Sequence, residues 1–140
     1  MSRKKSRELG FKIVFANLFV GLDNLKTDNV DMNEHFNIED YLNENDLTND
    51  DVEFGVELAK TTLSHSNQIL DILAKNITNY SLDRIYKSDL AVLMIAVCEL
   101  EYYKETSFKV VISEAVDLSK KYSDEKGYRF VHGVLGKVVV

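Results

Sequence analysis

Two groups of side chains in this sequence have the types and spacing to bind nucleic acid. Arg3, Lys4, Lys5, Arg7 and Lys12 open the chain against Glu8 alone, a local charge of +4 over residues 1–12. On a helix, Arg3 and Arg7 share one line at i, i+4, and Lys5 and Lys12 share another at i, i+7. The cations then form a ridge suited to a row of phosphates. Cations at a helix N-terminus oppose the macrodipole at about 0.3–1 kcal/mol each, so something besides the helix itself has to favour them. Solvation is one alternative. A membrane surface is another, but no aromatic anchors gather at the basic end. In the second group, Tyr128, Arg129, Phe130 and His132 set flat rings beside a guanidinium within five positions. Unstacked bases of single-stranded RNA can lie on such rings while Arg and Lys take phosphates. Phe130 fits a core position equally well, and Tyr128 a core boundary. Arg129 is the strongest of the four, because a guanidinium both pairs with phosphate and stacks.

Catalytic readings fare worse. Cys98 is the only cysteine and lies in the most apolar stretch, where a thiol behaves as a small hydrophobe. One cysteine also leaves no disulfide framework and fits a reducing, cytoplasmic setting. His35, His65 and His132 are far apart, and none has a second ligand at i+3 or i+4, so no metal site is expected. No Gly-rich phosphate loop or nucleophile elbow is present. The expectation is a protein that is not an enzyme and holds no cofactor.

The elements that must position these groups are helices. The chain has no proline and six glycines in 140 residues, too little punctuation for many short strands, and its 45% apolar content is enough for one domain over residues 1–140. Phe11, Val14, Phe15, Leu18 and Leu22 recur at three and four, predicting a helix from Arg3 to Leu22. Gly10 inside it implies close approach of a neighbouring backbone or simple drift. Residues 23–57 hold twelve acids against Lys26, a local −11 within a net charge of −6. A solvated face accounts for this block, as does a negative surface that repels nucleic acid or attracts a basic partner. Phe36, Ile38, Tyr41 and Leu42 suffice for a short helix there.

Thr48 and Asp51 form a capping-box pattern ahead of a stripe through Val52, Val56, Ala59, Leu63, Leu70, Leu73 and Ile77. Polar residues 64–67 interrupt it, predicting a bend or two helices. Residues 81–85 start a short turn. Ser88 and Asp89 are placed to cap a central buried helix from Leu90 to Tyr103. Val111, Ala115, Leu118 and Tyr122 stripe the next helix. Ser123 is placed as N-cap of a last one, whose core side is Val131, Val134 and Val138 with Phe130 and Leu135 beside them. No apolar run reaches about twenty residues, and the N-terminus lacks a signal peptide's apolar core, so a protein that is neither membrane-bound nor secreted is expected.

Three strings carry a family resemblance. K-V-V-I-S-E-A-V-D-L-S-K-K-Y-S followed by E-K-G-Y-R-F-V-H-G-V-L-G-K resembles the C-terminal signature of NusB transcription antitermination factors. That family's pattern runs close to KVVINEAIELAK, a short turn, then KFVNGVLDK. S-D-L-A-V-L-M-I-A-V-C-E-L and the opening R-x-x-x-R-E-L are similar to two further family segments. This chain departs at Ser113, Val116, Arg129, His132 and Gly136, where the family has Asn, Ile, Lys, Asn and Asp, and also at Met94 and Cys98.

The resemblance implies an all-α fold of about six to seven helices in two packed three-helix bundles. It implies binding of single-stranded boxA RNA from ribosomal RNA operon leaders, together with small-subunit ribosomal protein ten. That complex would join other Nus factors on RNA polymerase and suppress Rho-dependent termination. By the same resemblance, Arg3, Lys4, Lys5 and Arg7 would hold phosphates, and Lys126, Tyr128, Arg129 and Phe130 would complete the RNA surface if packing brings the two segments side by side. Asp89 would contact the ribosomal protein, with Arg84, Tyr86 and Tyr102 as neighbours. Two alternatives remain: a protein-only adaptor without RNA binding, for which His132 and Gly136 are the motivating departures, and a NusB-like module associated with a methyltransferase. The 140 residues contain no cofactor-binding βα units, so a free-standing methyltransferase is not expected.

Overall fold

A computed structural model describes residues 3–18, 47–78 and 81–139 of the chain. Six α-helices run through them: α1 (Lys4–Leu18), α2 (Asn49–Ser64), α3 (Ser66–Asn76), α4 (Lys87–Tyr102), α5 (Phe108–Tyr122) and α6 (Glu125–Val138), with a 3-10 turn at Leu82–Arg84. No strand occurs among the described residues. The far end of the predicted first helix, the short helix over 36–42, His35 and most of the acidic block lie outside them.

Helix α4 is the axis of the fold. Every residue from Asp89 to Glu99 is buried, and all five other helices pack on it. That is why its sequence is apolar all round where α3, α5 and α6 are striped. Helices α4, α5 and α6 pack mutually as a three-helix group, while α1 and α2 pair and rest together on α4. Their apolar side chains merge into one cluster that includes Leu9, Ile13, Leu58, Leu73, Leu93, Met94, Val131 and Leu135.

Glycine sets the closeness of the α1–α2 pair. A Cβ on Gly55 would lie 2.7 Å from the Ser6 carbonyl oxygen, and one on Gly10 would lie 3.2 Å from the Gly55 carbonyl oxygen. Of the two readings of Gly10, close backbone approach is the correct one. The start of α2 is tied to the same place. Thr48 and Asp51 form the expected capping box, and Ser6 Oγ donates to Asp51 Oδ1 at 3.3 Å. The Asp51 carboxyl is held below its ordinary range, chiefly by its hydrogen bonds with Thr48.

Two boundaries differ from expectation. Helix α4 begins at Lys87, with Tyr86 as N-cap and no side-chain cap bond, so Ser88 and Asp89 sit inside its first turn and do not cap it. Ser123 closes α5, and Asp124 caps α6 by accepting from the Gly127 N–H at 2.8 Å. The polar interruption at 64–67 resolves into two helices meeting at His65.

Candidate nucleic-acid interface

The four cations of the first turns do not share one environment. Arg3 lays its guanidinium over the Phe54 ring, 4.3 Å from the centroid. Lys4 pairs with Asp117 of α5 at 3.2 Å, both about half exposed, and the bond to Asp117 raises its pKa. Lys5 is exposed. Arg7 is only 6% exposed and forks onto Glu99 of α4, with Nε at 2.6 Å and an Nη at 3.1 Å from the two carboxylate oxygens. Its placement among phosphate-binding residues is therefore corrected. The i, i+4 line does exist, but the turn carrying Arg7 faces α4, and the guanidinium is spent on a buried carboxylate.

The first turns of α1 meet α5 before they could meet α6. Glu8 accepts from Lys121 Nζ at 3.0 Å and from the Tyr122 hydroxyl at 2.9 Å, and Lys12 stands 4.9 Å from the Tyr122 ring centroid. One position along α5, Lys120 stands 5.1 Å from the Tyr128 ring centroid of α6. A strip thus runs Lys4, Lys12, Lys121, Lys120, Tyr128, with α5 as the bridge between the two basic segments. Lys120 and Lys121 were legible in the sequence only as wet residues on an amphipathic helix. Their position between the two groups comes from the docking of α1 on α5.

The second group divides. Tyr128, Arg129 and His132 border a recess of about 300 Å³ against Val116 of α5. Arg129 also pairs with Glu125 at 2.7 Å on the exposed face. Phe130 packs partly against the core, and with Lys126 it lines a separate cleft of about 750 Å³. Arg84, Tyr86 and Asp89 line that same cleft, together with Asp124, Glu125 and Gly127. Lys126 and Phe130 therefore stand among the residues expected to meet a protein partner. Tyr86 is 73% exposed, a large ring on the cleft rim with water on most of its surface.

Asp89 is the unusual member. It is 4% exposed, its Oδ1 has no hydrogen-bond partner within the chain, and its carboxyl is raised in pKa by burial, with Ser123 opposing through a hydrogen bond and the Asp124 charge adding. A Cβ on Gly127 would fall 2.8 Å from that Oδ1, so the absent side chain is what lets α6 start against the carboxylate. Tyr102 does not join this cluster. It lies thirteen positions along α4, about 20 Å away at 1.5 Å per residue, and packs on His65 in a tilted pair with centroids 4.3 Å apart.

The other chemistry-bearing groups have structural roles. Cys98 is fully buried and burial pushes its thiol up to about 12, far from a nucleophilic thiolate. Among the described residues no three His, Cys, Asp or Glu side chains gather as metal ligands, and no helix is long and apolar enough to cross a membrane.

Similarity to known proteins agrees with this layout. The chain is 33% identical to the transcription antitermination protein NusB of Finegoldia magna, over 99% of this chain and 94% of that one. A chain in the crystal structure of a plectonemic RNA supercoil superposes with a TM-score of 0.82 at 29% identity, covering 98% of this chain and 93% of the other. A chain in the crystal structure of antitermination factors NusB and NusE with double-stranded RNA superposes with a TM-score of 0.78 at 28% identity, covering 97% and 94%. The first and the third of these are named for transcription antitermination and not for a catalysed reaction. Residues 4–140 match the model of the NusB family, and with that match, these relatives and the shared all-helical fold, the chain belongs to the NusB family.

Proposed function

We propose that this chain binds single-stranded boxA-type RNA of ribosomal RNA operon leaders jointly with small-subunit ribosomal protein ten, and that the complex acts with other Nus factors on RNA polymerase in the cytoplasm to suppress Rho-dependent termination. The observation that carries the reading is the adjacency of two unlike surfaces at the start of α6. On one side is the cationic and aromatic strip of Lys4, Lys12, Lys121, Lys120 and Tyr128, continued by Arg129 on α6, with Arg3 over Phe54 and the exposed Lys5 in the first turn of α1 at its far end. On the other is a cleft lined by Asp89, whose Oδ1 has no partner in the chain, with Arg84, Tyr86, Lys126 and Phe130 around it. A basic protein seated in the cleft would supply the missing partner to Asp89 and extend the positive strip. The solved complex of a similar chain with NusE and double-stranded RNA supports the same pairing.

Electrostatics favours joint binding. With Arg7 withdrawn and Lys4, Lys121 and Arg129 each shared with an acid of the chain, contacts to about three or four phosphates give a slope of about −2 to −3 for log K against log salt on a single strand. That is weak anchoring for a chain of net charge −6. Filter binding of a boxA-type RNA, with and without the ribosomal protein, tests the reading. Tighter, salt-dependent binding in the presence of the protein is expected, and absence of RNA binding in both arms overturns it.

One set of contacts favours a second reading, a protein-only adaptor. Lys4, Lys121 and Arg129 each already pair with an acid of this chain. Binding of the ribosomal protein without RNA binding would select that reading.

A further inference from the structure

Helix α6 carries three glycines in two kinds of surroundings. A Cβ at Gly127 would lie 2.1 Å from Ser123 Oγ, whereas one at Gly133 or Gly136 would meet nothing within 4 Å. Among residues other than proline, glycine is the least favourable in a helix interior. No close packing within the described residues accounts for these two. They stand four positions after Arg129 and His132, on the same strip of helix surface.

Beside that bare strip is the recess of about 300 Å³ lined by Val116, Tyr128, Arg129 and His132. Tyr128 is half-buried and so held in place, His132 is exposed, and Lys120 stands over the Tyr128 ring. Two rings and a guanidinium line the space with Val116 as its one aliphatic side chain, and the Lys120 ammonium stands 5.1 Å from the Tyr128 ring centroid, outside that lining. A docked protein segment would need a broader apolar centre. A flat heterocycle with a phosphate on either side matches what is present.

We propose that this recess is a slot for one unstacked nucleobase of a single-stranded RNA, held against Tyr128 and His132. Arg129 and Lys120 meet the flanking phosphates, and the bare backbone at Gly133 and Gly136 lets the strand run close along α6. The inference rests on the RNA-binding reading above. It adds a base contact at a site separate from Phe130, on a position where this chain carries His132 in place of the family's Asn.

The test uses the full chain with the ribosomal protein and a set of boxA-type RNAs, each carrying one 2-aminopurine. Fluorescence should be quenched by the slot at one position. Tyr128→Ala and His132→Ala should restore that fluorescence and weaken binding by about fivefold to about 140-fold, the range of one base stacked on an aromatic ring. Tyr128→Phe should keep both. An abasic nucleotide at the quenched position should make Tyr128→Ala and the parent bind alike. Gly133→Ala should raise the melting temperature yet lower RNA affinity. Undiminished affinity in Tyr128→Ala and His132→Ala, with no fluorescence change at any position, overturns the slot while leaving RNA binding in place. Failure of the parent chain to bind any of the RNAs overturns the functional reading itself, and the slot with it.

Discussion

Helix α4 buries one acid near each end, and the two have opposite fates. Glu99 is 1% exposed and meets the Arg7 fork through two hydrogen bonds, at 2.6 and 3.1 Å. Asp89 is 4% exposed and keeps an oxygen without a partner in the chain. A buried charge is costly unless paired and hydrogen-bonded. The first arrangement therefore serves the architecture, fixing α1 on α4. The second leaves a cost inside the fold that a cation from outside could relieve. Chain-internal pairing separates a structural buried acid from a candidate contact.

The largest effect expected from this contrast is at Arg7. Arg7→Ala leaves Glu99 buried and uncompensated, and should destabilise the protein by about 3–5 kcal/mol, read by urea denaturation. The paired replacement Arg7→Met with Glu99→Leu should recover most of that loss. A single substitution costing under about 1 kcal/mol would remove the distinction between the two acids.

Asp89→Asn should act in the opposite sense on stability. A carboxyl whose folded pKa is raised stabilises the fold fully only below its unfolded pKa, and that contribution is lost as pH rises through the folded pKa. At neutral pH the charge is a net cost, so the amide should raise the melting temperature there, with the gain vanishing at acid pH. The same change should weaken binding of the ribosomal protein by about thirtyfold or more, the scale of removing one member of a buried charge pair, measured by titration calorimetry. A melting temperature that falls together with affinity would assign Asp89 a structural role like that of Glu99.

The smallest effect is expected on the exposed strip. Lys4→Ala breaks a half-exposed pair with Asp117, worth about 0–1 kcal/mol of stability. It should still lower RNA affinity and reduce the salt slope by about 0.7, one phosphate on a single strand. An unchanged slope would show that Lys4 belongs to Asp117 alone.

Much of the fold was legible because it is written locally. The stripe of Val111, Ala115 and Leu118, the all-round apolarity of α4, and the Thr48 and Asp51 capping box each depend on spacings of three or four residues. Helix starts were less secure, since Ser123 and Asp124 both carry an oxygen suited to a cap and only the backbone decides between them. The candidate site was half legible. Residue types pointed to Tyr128 and Arg129, but Lys120 and Lys121 carried no signal beyond a wet helix face. Arg7 carried a misleading one, since a cation on a regular ridge has the same spacing whether the ridge faces water or another helix.

The sequence by itself determined the helical class, the central buried helix and the family, because periodicity and motif strings are properties of neighbouring residues. Tertiary structure alone decided that Arg7 is consumed by Glu99, 92 positions away, that α5 stands between the two basic segments, and that Asp89 lies against Gly127 with an oxygen unpartnered. Spacing fixes which residues share a face of a helix. What that face meets is set by packing between segments remote in the chain, and for a charged group that meeting decides whether it holds the fold together or stays open to a partner.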